Sequence, residues 1–247
     1  MINIDKKYNK NKLSNLLIWG SGSKSKIIIN MISNKEVFYK KRNLYNNLKI
    51  TGIFDPFEKK LNNYKNLKIY NSKKHLLQLI KINEYFTVCI GNEHGYSRNL
   101  ISEKIEKKGL KPVSIISASS YIDTTSIILK GCLVMPNAMV GPFVKIGQYS
   151  ILNSSCIIEH EVKIGKGCHI MSGATIGGRA RIGNYVSIGM NSTIFPDIKI
   201  GEGAFIGAGA VIRNDVNRNQ IIIGNPGKVL RVKNKNNKVD ILKTNLL

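Results

Sequence analysis

The chain has 247 residues, enough for one large domain or two modest ones with their own hydrophobic cores. Its 38 Lys and Arg residues against 15 Asp and Glu give a formal charge of +23, which suggests nucleic acid, an anionic surface or a phosphorylated ligand. The positive charge is nearly all lysine, spread along the chain among Asn and Ile, and no basic run is interleaved with aromatic residues. We therefore expect a solvated basic surface and no nucleic-acid partner.

The N-terminal segment MINIDKKYNKNKL, residues 1–13, reads as a polar extension because it lacks the apolar core of a signal peptide. No run of about 18 apolar residues could span a bilayer, so we expect a cytoplasmic protein without stable membrane insertion. The four cysteines show no metal-ligand spacing, and a reducing compartment argues against disulfides, so buried thiols are expected. They are Cys89, Cys132, Cys156 and Cys168.

Residues 14–117 alternate short apolar runs with helical patterns. The segment NLLIWGSGSKSKIIINM predicts a strand LLIW, a glycine turn and a helix beginning near Ser23. LKITGIFDPFEKK predicts a second strand that ends in Asp55, YFTVCIGN a third from Phe86 to Ile90, and KPVSII a further one, with a helix from Arg98 to Lys108 between the last two. Residues 32–48 look like an insertion. This alternation predicts a small Rossmann-like parallel α/β domain.

Several polar and glycine residues follow the predicted strands directly. Ligands bind such sheets at the carboxyl ends of the strands, and a helix start presents backbone N–H groups to a phosphate. Ser25 stands where the dinucleotide fingerprint has its third glycine, so an ordinary tight turn is also compatible with the sequence. The candidate nucleotide-binding residues are Gly20, Ser21, Gly22, Ser23, Lys24, Asp55, Gly91 and Asn92.

From Ile122 onward an aliphatic residue recurs at every sixth position, with a small or β-branched residue four positions later. This period fits neither an α-helix nor an ordinary hairpin strand, but it fits a parallel β-helix in which three hexads close a coil of 18 residues. The prediction is a β-helix domain over residues 118–232. The aliphatic series is Ile122, Ile128, Val134, Val140, Ile146, Leu152, Ile158, Ile164, Ile170, Ile176, Ile182, Ile188, Ile194, Ile200, Ile206 and Ile212.

The run IIEHEVKIG places His160 between Glu159 and Glu161, and His169 follows nine residues later. A neutral imidazole is a suitable general base, and a carboxylate on its other nitrogen fixes the tautomer. Alternatively, His160 is an outward-facing residue at an edge of the β-helix, or Glu159 takes the role of Glu161. The repeat holds only these two histidines, which argues against a three-histidine zinc site.

An α/β domain with a glycine turn, followed by a hexapeptide β-helix that carries IIEHEVKIG and ends in IIIGNPGKVLR, resembles the bacterial sugar acetyltransferases. These include UDP-amino-sugar N-acetyltransferases and sialic acid O-acetyltransferases. The resemblance implies a left-handed β-helix, a homotrimer with acetyl-CoA as cosubstrate in grooves between β-helices, and a nucleotide-linked sugar on the N-terminal domain. Ser23 and Lys24 depart from the family pattern, in which glycine and histidine are common.

The resemblance also implies residue roles. His160 matches the catalytic base, Glu161 the acid that orients it, and His169 a second active-site histidine. His169 is otherwise structural or binds CoA. Gly178 sits where a backbone N–H faces the thioester oxygen, an interaction that can be worth about 3 kcal/mol. The segment by the CoA adenine contains Gly224, Pro226 and Lys228, and no metal is implied.

The predicted function is direct transfer of an acetyl group from acetyl-CoA to a nucleotide-linked amino sugar of the 4-amino-4,6-dideoxy type, in surface glycan biosynthesis. Two alternatives stay open: O-acetylation of sialic acid or another sugar hydroxyl, and a non-catalytic β-helix used for assembly or nucleotide sensing. The basic tail, residues 233–247, has no predicted role.

Overall fold

The computed structural model describes residues 14–37, 48–59 and 63–233. Three predicted segments lie wholly or partly outside the described residues: the extension 1–13, residues 38–47 of the insertion, and residues 234–247 of the tail. Residues 32–33 of the predicted insertion end the first helix, and Val37 forms an antiparallel bridge with Ser117.

The first domain is a parallel sheet with helices, as predicted. Its strands are β1 (Ser14–Trp19), β2 (Leu48–Phe54), β3 (Ile69–Tyr70), β4 (Tyr85–Val88) and β5 (Lys111–Pro112). Its helices are α1 (Ser23–Ser33), α2 (Lys73–Ile82) and α3 (Gly95–Lys107). The strand order is β3-β2-β1-β4-β5, so the order reverses at β1, and in open parallel sheets such a reversal marks the crevice outside the carboxyl ends of the strands where ligands bind.

Two elements of this domain were not predicted, and the bounds of several others differ. β3 and α2 were missed, although Ser72 caps α2 by accepting a hydrogen bond from the His75 N–H. β2 ends at Phe54 instead of Asp55, β4 ends at Val88 instead of Ile90, and α3 begins at Gly95 instead of Arg98. The predicted strand over KPVSII is two strands in different sheets, β5 and β6 (Ile115–Ile116).

The rest of the described chain is a parallel β-helix of two-residue strands. After β6 they are β7 (Tyr121–Ile122), β8 (Ile127–Ile128), β9 (Leu133–Val134), β10 (Met139–Val140), β11 (Lys145–Ile146), β12 (Ile151–Leu152), β13 (Ile157–Ile158), β14 (Lys163–Ile164), β15 (His169–Ile170), β16 (Thr175–Ile176), β17 (Arg181–Ile182), β18 (Ser187–Ile188), β19 (Thr193–Ile194), β20 (Lys199–Ile200), β21 (Phe205–Ile206) and β22 (Val211–Ile212). A final antiparallel pair follows, β23 (Gln220–Ile223) and β24 (Lys228–Val232).

These strands form the three faces of the β-helix. Sheet I contains β6, β9, β12, β15, β18, β21, β23 and β24; sheet II contains β7, β10, β13, β16, β19 and β22; sheet III contains β8, β11, β14, β17 and β20. Met139 pairs with Ile157, which is 157 − 139 = 18 positions further along the chain. The prediction that three hexads close one coil is therefore confirmed.

The second residue of each two-residue strand points into the β-helix, and from Val134 onward this aliphatic series is buried. Cys132, Cys156 and Cys168 lie in the inward set of small residues and are fully buried, as the repeat predicted. Many turns between sheets hold a residue with positive φ, such as Glu161 at 59°.

Sheet I docks onto the α/β domain. Leu133 and Ile151 point out of the β-helix, yet both are fully buried among side chains of the first domain. The fully buried Arg98 of α3 joins the two domains: its guanidinium donates to the carbonyl oxygens of Ile90, Tyr149, Gly167 and Cys168 at 2.6–3.0 Å. The α/β domain and the β-helix therefore share an extensive buried boundary.

Candidate active site

His160 lies at the corner where each coil turns from sheet II to sheet III, here called the II/III corner. Successive coils place Pro142, His160, Gly178 and Pro196 above one another at this corner, 18 residues apart. The Arg179 N–H donates to the His160 carbonyl at 2.9 Å and so ties neighbouring coils together. The corner is part of the surface, because about 43% of the His160 side chain is exposed.

The His160 ring is held between a carboxylate and a glycine. Its Nδ1 lies 3.1 Å from Glu161 Oε2, as the predicted orienting role requires. Its other ring nitrogen faces the next coil, where a β-carbon added to Gly178 would lie 2.5 Å from Nε2. Only glycine therefore leaves room for the ring in this position. If Nδ1 carries the proton and donates to Glu161, then Nε2 keeps the lone pair that a general base needs.

The Gly178 N–H has no hydrogen-bond partner within the described part of the chain. Its place in the coil explains why: Pro142 and Pro196 occupy the equivalent positions one coil before His160 and one coil after Gly178, and proline has no N–H to donate. The coil does not need this N–H for its own hydrogen bonding. It is therefore available to an oxygen atom of a ligand beside His160 Nε2.

His169 lies in a different place. It belongs to β15 of sheet I, is 3% exposed, and packs beside Gly91 at the boundary with the α/β domain. Neither ring nitrogen has a hydrogen-bond partner among the described residues. Burial, helped by the charges of Arg98 and Lys24, lowers the pKa of His169 to about 3, against an opposing effect of the Asn92 backbone. Within one chain, the two histidines lie on opposite sides of the β-helix.

The predicted nucleotide-binding residues come together at the carboxyl edge of the α/β sheet. Gly20 follows β1 with φ of 102°, a conformation that glycine adopts readily. Asp55 follows β2, and its Oδ2 accepts hydrogen bonds from both the N–H and the hydroxyl of Ser21 at 2.8 Å. Ser25 stands in for the missing glycine of the fingerprint, because its hydroxyl donates to the Gly20 carbonyl and closes the turn.

The start of α1 also touches the β-helix. Gly22 precedes the helix and Ser23 is its first residue. The Nζ of Lys24 donates to Asn153 Oδ1 at 2.9 Å, so the lysine that departs from the family pattern bridges the two domains. Burial lowers its pKa. The loop after β4 is close by, where Asn92 has a φ of 50° and its carbonyl accepts a 3.4 Å hydrogen bond from the Ser187 hydroxyl.

The predicted CoA segment forms the turn of the last hairpin. Gly224 has a φ of 88°, a cis peptide bond joins Asn225 to Pro226, and Lys228 begins β24. All five residues of β24 are exposed in the single chain. These three candidates are thus separate from the II/III corner.

Sequence reasoning missed a column of cations on sheet III. Lys145 pairs with Lys163, Lys163 with Arg181, and Arg181 with Lys199, each one coil from the next. Like charges directly opposite one another are unfavourable, so the column marks a surface suited to an anionic partner. An open groove runs along Lys163, Arg181 and Lys199. The signal was present in the sequence, since a basic residue precedes the aliphatic position in four hexads spaced by 18 residues.

Comparisons with known proteins bear on this geometry. The family described as "Bacterial transferase hexapeptide (six repeats)" matches residues 144–178, 161–196 and 179–214, which include His160, Gly178 and Pro196 of the II/III corner. Within residues 144–214 the β-helix therefore matches the bacterial transferase hexapeptide repeat. No curated protein sequence matches the chain.

Solved structures share the fold of both domains. The acetyltransferase domain of PglB from Neisseria gonorrhoeae FA1090, in complex with acetyl coenzyme A, is 22% identical, with a TM-score of 0.76 over 88% of this chain and 100% of that one. A histidine-to-alanine variant of GDP-perosamine N-acetyltransferase from Caulobacter crescentus, with CoA and GDP-perosamine, is 19% identical, with a TM-score of 0.75 over 87% and 96%. WeeI from Acinetobacter baumannii AYE is 21% identical, with a TM-score of 0.56 over 88% and 100%.

The chain therefore combines, as predicted, an N-terminal parallel α/β domain with a left-handed β-helix, and its resemblance to bacterial sugar acetyltransferases is confirmed in repeat and fold. Among the described residues, no helix is long and apolar enough to cross a membrane. Within the same residues, no group of three or more His, Cys, Asp or Glu side chains is arranged to hold a metal ion.

Proposed function

We propose that this protein transfers the acetyl group of acetyl-CoA to the amino group of a nucleotide-linked sugar. The observation that carries the proposal is the II/III corner, where His160 Nε2 lies beside Gly178, whose N–H has no partner among the described residues, and Glu161 binds the other ring nitrogen of the imidazole. Acetyl transfer needs both a base for the acceptor and a donor for the developing oxyanion. Sugar N-acetyltransferases crystallised with acetyl-CoA, CoA or GDP-perosamine share the fold and support this choice.

The reaction proceeds in one displacement. His160 Nε2 removes a proton from the acceptor amine as its nitrogen attacks the thioester carbonyl. The oxygen of that carbonyl takes up negative charge and accepts a hydrogen bond from the Gly178 N–H. Glu161 stabilises the imidazolium through Nδ1, and the proton passes to the departing CoA thiolate when the tetrahedral intermediate collapses.

The α/β domain is proposed to hold the nucleotide. The crevice at β1 gathers Gly20, Ser21, Gly22 and Ser23 with Asp55, at the place where open parallel sheets bind their ligands. The positive end of α1 suits a diphosphate there. Acetyl-CoA and nucleotide sugars are both cytoplasmic metabolites, so we also propose that the protein acts in the cytoplasm.

We further propose a homotrimer with active sites shared between chains. In one chain the nucleotide crevice lies on the sheet I side, whereas His160 lies at the opposite corner, so an acceptor bound in the crevice needs His160 from a neighbour. Sheet II offers the contact surface: its outward file begins with Tyr121, Met139 and Ile157 and carries no charged residue. Flat solenoid faces of this kind can pack on one another.

The test of the activity is acetyl-CoA-dependent thiol release with UDP- and GDP-linked 4-amino-4,6-dideoxy sugars and free sialic acid. We expect release with one nucleotide amino sugar and a loss of about 10²–10⁴-fold in His160→Ala, with acetyl-CoA binding retained. Release only with sialic acid would indicate O-acetylation. Absence of release with every acceptor would indicate the non-catalytic β-helix.

The shared site has its own test. His160→Ala chains and Asp55→Ala chains are mixed after denaturation and refolded together, with each variant refolded alone as the control. Mixed trimers should regain activity, because some sites then combine an intact crevice from one chain with an intact His160 from another. Mixtures no more active than the separate variants would contradict sharing.

A further inference from the structure

Three charged residues form a second column beside His160 and Gly178. Glu161, Arg179 and Asp197 occupy the left-handed position of the II/III corner in successive coils, with φ of 59°, 62° and 64°. Each is 18 residues from the next, and stacked strands are about 4.8 Å apart. The guanidinium of Arg179 therefore has a carboxylate within reach on either side.

Arg179 binds only one of these carboxylates. Its Nε and Nη2 donate to the two oxygens of Asp197 at 2.7 and 2.6 Å, a bidentate pair with well-defined geometry. The hydrogen bond from Arg179 lowers the pKa of the Asp197 carboxyl, so the pair stays ionised at neutral pH. Glu161 is left to the imidazole, with Oε2 at 3.1 Å from His160 Nδ1.

The backbone beneath this column is also fixed. Nη1 of Arg181 donates to the carbonyl oxygens of Glu161 at 2.8 Å and Arg179 at 2.7 Å. Arg181 thus joins the two coils at the residues whose side chains must stay apart.

We propose that Arg179 and Asp197 are positioning residues: Asp197 holds the Arg179 guanidinium away from Glu161, so that Glu161 keeps its hydrogen bond with His160. The catalytic importance of this arrangement rests on the proposed acetyl transfer. The competition of Glu161 and Asp197 for Arg179 does not depend on it. Without Asp197, Arg179 turns to the carboxylate one coil below and competes with the imidazole for it. The His160 ring then loses the partner that keeps its proton on Nδ1 and its lone pair on Nε2.

Other residues near the His160 ring could also affect this competition through their charge. Glu159 lies on the same coil as His160, and the preceding coil contributes the uncharged Pro142 and Phe143. Asp197 therefore determines which carboxylate Arg179 binds. Arg181 does not compete for Glu161, because its guanidinium donates to backbone carbonyls.

The primary test is the tautomer of His160, read from imidazole ¹⁵N chemical shifts at pH 8 in protein labelled on histidine. The chain has four histidines, so His160→Gln assigns the signal. We expect mainly the Nδ1–H form in the wild type and a shift towards the Nε2–H form in Asp197→Ala. Asp197→Asn keeps the shape of the side chain and serves as the second variant if the alanine variant does not fold. An unchanged tautomer in a folded Asp197 variant would overturn the proposal.

Kinetics provide the second readout. Asp197→Ala should lower kcat by about tenfold, in keeping with partial loss of an oriented base, with the KM for acetyl-CoA unchanged. Removing the competitor should restore the rate, so Arg179→Gln combined with Asp197→Ala is expected within about twofold of wild type. Failure of this rescue would overturn the competition between Glu161 and Asp197 for Arg179.

Combining the Asp197 substitution with one at Glu161 distinguishes a positioning role of Asp197 from a merely structural one. In a Glu161→Gln background, removal of Asp197 should have no further effect on tautomer or rate, since the contested carboxylate is already gone. The matched control is Glu202→Ala, which removes an exposed carboxylate paired with Arg218 at another corner and should change neither readout. An undiminished Asp197 effect in the Glu161→Gln background would contradict the proposal.

Failure of the proposed function is distinguishable from failure of this inference. The tautomer measurement needs no substrate, so it reports on the Arg179–Asp197 pair even if no acceptor is acetylated. A correct tautomer response without acetyl transfer would overturn the proposed function alone. Acetyl transfer with an unresponsive tautomer would overturn the inference alone.

Discussion

The imidazole of His160 lies against Gly178, one coil further along the β-helix, so closely that a β-carbon on Gly178 would be 2.5 Å from Nε2. Glycine is thus needed at position 178 for the ring and not for the backbone, since Gly178 is absent from the residues with positive φ. The same residue supplies the free N–H proposed to bind the thioester oxygen.

Gly178→Ala should therefore lower kcat by about 10²-fold or more while leaving stability nearly unchanged. The added methyl group displaces the His160 ring, and the ring can swing into solvent at little cost because its side chain is exposed. Turnover and thermal unfolding are measured on the same preparation. In a His160→Ala background the substitution should have a much smaller effect on turnover. A fully active Gly178→Ala enzyme would contradict the assigned position of the base.

The β-helix could be predicted from the sequence because the repeating coils of this fold themselves produce the six-residue period. Each coil repeats the demand for an aliphatic residue inside, so the series from Ile122 to Ile212 fixed both the strands and the coil length. The II/III corner was accessible for the same reason: once the period is 18, His160 and Gly178 must be neighbours. The Glu161 contact followed from adjacency in the chain.

Contacts that join distant parts of the chain could not be predicted in this way. Arg98 looked like an ordinary helix residue, and nothing in its local sequence indicates a guanidinium buried against four carbonyls of other segments. The opposite placement of His160 and His169 within one chain follows from which sheet each strand joins, and their separation of nine residues does not indicate it. Lys24 could be noticed as unusual, but its partner Asn153 is 129 residues away.

Arg98 should be essential to the docking of the two domains. Arg98→Lys keeps the charge but offers a single nitrogen, which cannot reach the Ile90, Tyr149, Gly167 and Cys168 carbonyls together. Buried carbonyls left without donors cost roughly 1–3 kcal/mol each, so we expect a loss of about 3 kcal/mol in the free energy of unfolding.

The fluorescence of Trp19, the single tryptophan of the chain, reports unfolding of the α/β domain in urea. Circular dichroism follows the β-helix in the same samples. Arg218→Lys, at an exposed arginine, is the matched control and should unfold like wild type. Identical midpoints for Arg98→Lys and Arg218→Lys would refute the docking role.

His169 should make the protein less stable in mild acid. Its pKa is about 3 in the folded protein against about 6.5 when unfolded, so between these values the unfolded chain binds more protons. Stability from this group is complete above pH 6.5 and is lost progressively as pH falls towards 3. Between pH 7 and pH 5 the loss should be on the order of 2 kcal/mol.

The measurement is urea unfolding at both pH values for wild type, His169→Gln and His75→Gln. The glutamine at position 169 removes the titrating group, so the difference between pH 7 and pH 5 should shrink in that variant. His75→Gln, in α2 of the α/β domain, should retain the wild-type difference. Equal pH dependence in all three proteins would show that burial of His169 is not what makes the protein acid-sensitive.

Asp55 should govern affinity for the acceptor and not the chemical step. Its carboxylate accepts two hydrogen bonds from Ser21 and so holds the turn after β1 in the shape proposed to receive the nucleotide. Asp55→Ala is expected to raise the KM for the acceptor about tenfold, equivalent to about 1.4 kcal/mol, with kcat and the KM for acetyl-CoA unchanged. Asp55→Asn retains one acceptor oxygen for Ser21 and should give a smaller increase. Because His160 and Gly178 lie on the other side of the β-helix, a fall in kcat without a change in the acceptor KM would contradict this division of labour.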